Sequence, residues 1–229
     1  MKIRHFSLFK ESIDTLILPS SWEVLRNSNQ DKAYYLPHSL GEYLKKVETE
    51  TPSYVASSII AKAKKTNLLN LFSIGSGIAS LEYQVKKFSS LRVIVSDYTR
   101  SILRIKDFML FDQCLILDAL KDPLPVNKEY IVLFPRIDTE FEDDELKTLF
   151  KKCHEKNVEY IVFIPAQLLN IRIFISEIKI IIKSILLLKK RSFCGYSRSK
   201  KAFVQLFSDF YYIEEESHTE RTVFFLKKK

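Results

Sequence analysis

A chain of 229 residues with 46% hydrophobic content can bury a full-sized core, and nothing in its composition marks a disordered chain. Its three cysteines, Cys114, Cys153 and Cys194, are odd in number and never form C-x-x-C, which argues against a disulfide framework or a cysteine-built zinc cluster and fits a reducing cytoplasm. The net charge of +8 raises nucleic-acid binding, but the basic runs Lys64-Lys65, Lys86-Lys87, Lys151-Lys152 and Lys189-Lys190-Arg191 fall late in expected helices, where cations complement the helix dipole, and no cluster of aromatics accompanies them. A small-molecule partner is therefore expected ahead of nucleic acid. The four histidines have no paired spacing, so no metal site is expected. Ser7, Lys10, Glu11 and Asp14 interrupt any apolar leader at the start of the sequence.

Residues 1–50 read as an N-terminal helical elaboration. Phe6, Phe9, Ile13, Leu16 and Ile17 recur at helical spacing before Pro19, and Ser20-Ser21 can cap a short helix carrying Trp22, Val24 and Leu25. Residues 27–32 are loop-like; the aromatic group Tyr34, Tyr35 and His38 follows, then a helix over 39–47. This segment can serve as a lid over a ligand site or as a cap packed on the sheet, and both readings stay open. Thr51-Pro52 starts a helix through Val55, Ile59 and Ala63.

From there the pattern alternates. Leu68–Ile74 is a short apolar run, read as a buried parallel strand; Gly75-Ser76-Gly77 forces a tight turn; a helix follows over 77–88. Strands at 91–96, 113–118, 129–134 and 158–164 and helices at 99–109 and 142–156 complete an α/β, doubly wound, mostly parallel sheet over residues 51–229. The apolar stretch 168–188 is broken by Arg172, Glu177, Lys179 and Lys183, too often for a membrane span. It predicts a long, largely buried helix, with room for a homodimer contact through residues 168–190. Gly195 interrupts the chain, Ser197 is a candidate cap for a helix through Leu206, and strands 211–213 and 223–226, turning at Glu214-Glu215-Glu216, form an antiparallel hairpin at one edge.

Asp97 and Asp118 each follow an apolar strand, so parallel strands bring both to the edge that carries the glycine turn. A carboxylate after the second strand suits a ribose diol, and one after the third can accept from an exocyclic amine. Each also has a purely local reading, Asp97 as a helix cap and Asp118 as the start of a turn before Asp122-Pro123. Three strand-end features at one edge favour a nucleoside-like ligand.

With those residues in place, 51–164 resembles the class I S-adenosylmethionine-dependent methyltransferases, which have a Rossmann-like core. LFSIGSGIASLEY resembles their glycine motif, VSDYT their acidic motif, LILDAL the adenine-contacting segment, and IVLFPRIDTEF the segment facing the substrate. PHSLGEYLKKVETETPSYVA and FCGYSRSKKAFVQLF are similar to uncharacterised bacterial members. The resemblance implies S-adenosylmethionine as cofactor, with Ser73, Gly75, Ser76, Gly77, Asp97, Tyr98, Asp118, Ala119 and Pro135 around it and Tyr34, Tyr35, His38, Arg136 and Asp138 toward the acceptor. Ser73 stands where the family has an acidic residue that often helps hold the methionine amino group, and Ala79 where it has a third glycine. If the acceptor must lose a proton, Asp138, Glu140, His38 and the Tyr34-Tyr35 pair are the candidate bases. Two other readings remain: an NAD(P)-dependent Rossmann oxidoreductase, disfavoured by Ser80 where its fingerprint needs Gly or Ala, and a non-catalytic cofactor-binding protein of the same fold.

Overall fold

A computed structural model describes residues 1–8, 13–29, 32–188, 190–218 and 221–229. Nine strands and eight helices run in the order β1 (Lys2–Ser7), α1 (Pro19–Asn27), α2 (Leu40–Val47), α3 (Tyr54–Thr66), β2 (Asn70–Ile74), α4 (Ser80–Lys87), β3 (Arg92–Asp97), α5 (Ile102–Asp107), β4 (Gln113–Ile116), β5 (Tyr130–Pro135), α6 (Asp143–Glu155), β6 (Tyr160–Ile164), α7 (Ile171–Leu186), β7 (Ser192–Arg198), α8 (Lys200–Phe207), β8 (Tyr211–His218) and β9 (Thr222–Lys228) among the described residues. Seven strands form one sheet in the order β4-β3-β2-β5-β6-β9-β8. The first five are parallel and β9 runs antiparallel between β6 and β8. This is the doubly wound sheet with an antiparallel hairpin at one edge that the alternation of elements predicts.

Both faces are covered, which is why the inner strands read as unbroken apolar runs rather than as alternating ones. Leu71, Val93, Val95, Ile131 and Leu133 face the core shared with α3, α4 and α5, while Phe72, Ile94, Val132 and Phe134 face the one shared with α6 and α8. The strand order reverses between β2 and β5, and their carboxyl ends open a crevice there, where ligands of open α/β sheets bind.

Several local expectations are corrected. Phe6 lies in β1, an antiparallel partner of β7, and not in a helix; Ile13 and Leu16 are buried in irregular chain against Cys194, and Phe9 lies outside the described residues. A strand partner 190 residues away leaves no trace in local periodicity. Ser53, not Thr51, caps α3, its hydroxyl accepting from the Ala56 N–H. Ser199, not Ser197, caps α8, because Ser197 is still paired in β7. Glu214, Glu215 and Glu216 lie within β8 rather than in the turn after it.

The largest correction is α7. Its turned-in face carries Glu177 and Ser184, while ten large apolar side chains between Ile171 and Leu188 are 39–94% exposed. Glu177 decides the orientation. One of its oxygens sits 2.5 Å from His5 Nδ1 and the other accepts the Phe6 N–H at 3.1 Å, so the helix is tied to β1 through its acid and the aliphatic stripe faces away.

Gly195, at φ +100°, lets β7 pass directly over the turn after β5: a Cβ there would lie 1.7 Å from the Thr139 carbonyl oxygen. Gly195→Ala is expected to lower unfolding free energy by roughly 2–4 kcal/mol in urea titration. Gly41→Ala, on an open face of α2, should instead raise it by up to about 1 kcal/mol. Equal effects at the two positions would contradict this account of the crossing.

Candidate functional site

The carboxyl ends of β2, β3 and β5 surround a cleft of about 650 Å³. The glycine turn forms its floor. Gly75 and Gly77 take positive φ (70° and 62°), as does Ala79 (55°), which holds the left-handed position before α4 without glycine. At Gly77 a Cβ would find only the Arg26 guanidinium, 3.8 Å away, so a ligand can reach bare backbone there once that side chain gives way.

Asp97, the last residue of β3, is 2% exposed and receives five hydrogen bonds. Oδ2 accepts from the Gly77 N–H at 3.0 Å and Arg26 Nη2 at 3.0 Å; Oδ1 accepts from the Thr99 N–H at 2.9 Å, the Thr99 hydroxyl at 2.7 Å and Arg26 Nη1 at 3.2 Å. A carboxylate has about four lone-pair sites, so it is saturated. Arg26, on α1, also donates to the hydroxyls of Thr99 and Ser101 and is itself 5% exposed. The N-terminal segment is anchored nearby: the Arg100 N–H donates to Glu23, Arg104 to the Leu36 carbonyl and Asn27, and the Tyr43 hydroxyl to the Ile78 carbonyl.

Two further acids face the cleft. Glu82, in the first turn of α4, is 1% exposed and accepts from the Ser73 hydroxyl at 2.5 Å. Burial pushes its carboxyl up to about 7, the Ser73 hydrogen bond works against that, and the charge of Asp97 adds to it. Glu140, just past the turn that follows β5, is pushed up to about 8, chiefly by burial and further by Asp97, with Tyr98, Arg26 and Trp22 opposing. Trp22 Nε1 and the Tyr98 hydroxyl point toward it without a well-formed hydrogen bond.

Of the residues named from the sequence, Gly75, Ser76, Gly77, Asp97, Tyr98, Ala119, Pro135, Tyr34 and Arg136 line the cleft. Ser73 lies beneath it, fully buried under Glu82. Asp118 is turned aside, its carboxylate bonded to Lys121 and to the N–H groups of Leu120 and Lys121, which is the local turn reading. Tyr35 and His38 pack against each other with tilted rings, 6.3 Å between centroids, and neither lines the cleft. Asp138 is buried outside it: Oδ1 accepts the Ala166 N–H, Oδ2 has no partner, and burial raises its carboxyl to about 7 against the pull of Ala166, Arg198 and Arg136. Sequence reasoning missed Arg26, Trp22 and Glu82. The serine at 73 was the one available sign of Glu82, since a missing acid invites a search for its replacement. Among the described residues no group of three or more His, Cys, Asp or Glu side chains is placed to hold a metal ion.

No family model and no curated protein matches the chain. Solved structures are. Human N-acetylserotonin methyltransferase in complex with SAM superposes over 94% of this chain and 63% of its own (17% identity, TM-score 0.59). Mitomycin 7-O-methyltransferase does so over 76% and 53% (17% identity, TM-score 0.57). Magnesium protoporphyrin IX methyltransferase from Synechocystis PCC 6803 with bound SAH matches 91% of this chain and 99% of its own at 10% identity and TM-score 0.57. The chain thus spans less than two thirds of the first two. At these identities the likeness is one of fold, and the fold is the Rossmann-like one of class I S-adenosylmethionine-dependent methyltransferases.

The raised acids set a pH dependence. Below about pH 4.5 Glu82 is protonated in both folded and unfolded chains; between there and about 7 only the folded chain keeps the proton, so its stabilising contribution is lost as pH rises. Glu82→Gln removes that titration. Relative to this variant, the wild type should lose about 3 kcal/mol of unfolding free energy between pH 4 and 8. A difference that does not change with pH would contradict the burial assigned to Glu82.

Proposed function

We propose that this chain is an S-adenosylmethionine-dependent methyltransferase acting on a small-molecule acceptor. The observation that carries the reading is Asp97: a buried strand-end carboxylate tied to the glycine-turn N–H, at the sheet's topological switch point, in a cleft within the roughly 300–1,000 Å³ range of small-ligand sites. The residues fit the cofactor. Asp97 accepts from the ribose hydroxyls, Gly75 to Gly77 offer backbone to the methionine portion, Tyr98 and Ala119 flank the base, and Glu82 faces the methionine ammonium in place of the acid missing at Ser73. An ammonium beside Glu82 would favour its ionised form, so binding there releases a proton near neutral pH.

Bound S-adenosylmethionine supplies a methyl group on a good leaving group, and alignment of the acceptor accounts for most of what the protein must add. Tyr34, Arg136 and Pro135 face the acceptor side. Glu140 is the candidate base: raised to about 8, chiefly by burial and further by Asp97, it holds a proton at neutral pH in the free protein, and a cationic ligand beside it would lower that value and leave the carboxylate free to take a proton from an acceptor hydroxyl. The segment around α1 acts as a lid, because Arg26 fills the ribose subsite while Trp22 and Tyr34 wall the cleft. Asp138, Tyr35 and His38 play supporting parts at most, since they lie outside the cleft lining. Three free cysteines fit a cytoplasmic setting. Among the described residues no helix is long and apolar enough to cross a membrane.

The oxidoreductase alternative is less well supported. A dinucleotide fold of the usual order 3-2-1-4-5-6 has no antiparallel strand inserted before its last, and β9 is such a strand here.

Thermal shift with S-adenosylmethionine and S-adenosylhomocysteine against NAD and NADP tests the class. The first pair should raise the melting temperature and the second should not; the reverse would overturn the reading. By calorimetry, Asp97→Ala should bind S-adenosylhomocysteine about 10- to 150-fold more weakly. Unchanged affinity would remove the ribose assignment. Methyl transfer to a panel of hydroxylated and amino small molecules separates an enzyme from a silent binder.

A further inference from the structure

The exposed face of α7 is a large feature that the cleft does not use. Ile178, Ile182, Ile185 and Leu186 centre an apolar band running the length of the helix and continuing into Leu187 and Leu188, which are 51% and 94% exposed. A band so long exceeds what a soluble surface ordinarily leaves open. Along one flank, within about 60° of arc on a 3.6-residue wheel, stand Arg172, Lys179 and Lys183, all exposed. The helix has one acid, Glu177, and it is turned inward onto His5 and the Phe6 N–H. Every charge that α7 presents to its surroundings is therefore positive.

We propose that α7 docks this protein on an anionic lipid surface, lying in the interface plane with its isoleucine band among the acyl chains and its basic flank among the headgroups. The charge pattern selects that occupant. A bilayer rich in acidic lipid satisfies the band and the cations together, with each cation near the surface adding to the attraction. A second copy of the chain would satisfy the band alone, because α7 exposes no carboxylate to meet its partner's Arg172, Lys179 and Lys183. The helix is 16 residues long, about 24 Å at 1.5 Å per residue, and interrupted by these charges, so it lies on a bilayer rather than through it. The inward pairing of Glu177 with His5 keeps the band outward in the free protein, so no refolding is required for docking.

Cosedimentation of the full chain with phosphatidylcholine vesicles, with and without a third of phosphatidylglycerol, tests this. The wild type should partition about tenfold or more in favour of the anionic vesicles. Ile178→Asp/Ile182→Asp, at exposed positions, should lose binding to both while keeping the wild-type circular dichroism and melting temperature. Lys179→Glu/Lys183→Glu should lose the anionic preference. A wild type that stays in the supernatant with both vesicles, or binds both equally, would overturn the proposal. So would light scattering that shows a wild-type dimer split into monomers by Ile178→Asp/Ile182→Asp, because the band would then belong to a second copy.

Discussion

The ion pair of Asp97 with Arg26 ties α1 to the carboxyl edge of the sheet and sits where a ligand would have to enter. Both groups are almost wholly out of water, which costs several kcal/mol per charge and is offset only by close geometry and further hydrogen bonds. Those bonds are present: the glycine turn, Thr99 and Ser101 complete the shells of the two groups. The consequence is that α1 closes over the carboxyl edge. Of the five hydrogen bonds on Asp97, three come from the glycine turn and Thr99, fixed by β3 and the turn. The two from Arg26 come from a long side chain on a separate segment and are the ones a diol can replace. On the proposed reading, cofactor entry exchanges one set of donors for another on the same carboxylate.

The second constraint is the concentration of acids in a dry edge. Burial raises Glu82 and Glu140, and Asp97 lies close enough to raise both further. Such a cluster is costly when fully ionised and favours a cationic guest. A ligand bearing an ammonium and a sulfonium relieves it, which is a physical reason to prefer S-adenosylmethionine over an anionic dinucleotide for this cleft. On the proposed reading, the carboxylate that the glycine motif lacks at position 73 is supplied from position 82, in the first turn of α4, with the Ser73 hydroxyl donating to it.

The parallel core was legible because strand and helix periods alternate cleanly from Asn70 to Ile164, and because apolar strands ending in Asp97 or in Gly75-Ser76-Gly77 mark one edge of a parallel sheet without knowledge of their neighbours. What could not be read depends on contacts distant in sequence. Phe6 pairs with Phe193 in β1 and β7, and Arg26 meets Asp97 across 71 residues. Neither carries a local signature. For α7 the periodicity was right and the inference from it was wrong. An apolar stripe says which residues share a face but not which face is turned inward, and here one acid paired with His5 outweighed ten aliphatic and aromatic side chains in fixing the orientation. Asp118 differs again: it follows a strand end as the pattern predicts, and Asp122 and Lys121 hold it in the local turn that is its other reading.

The central claim is that Arg26 and the ribose compete for Asp97. Calorimetric titration of S-adenosylhomocysteine into wild type and Arg26→Ala at one pH tests it most directly. The account predicts that Arg26→Ala is less stable to urea, by about 3 kcal/mol for a buried charge left without its partner, yet binds more tightly, by about tenfold or more, as expected when the two charged hydrogen bonds from Arg26 no longer have to be broken. Equal or weaker binding by a folded Arg26→Ala protein would contradict it.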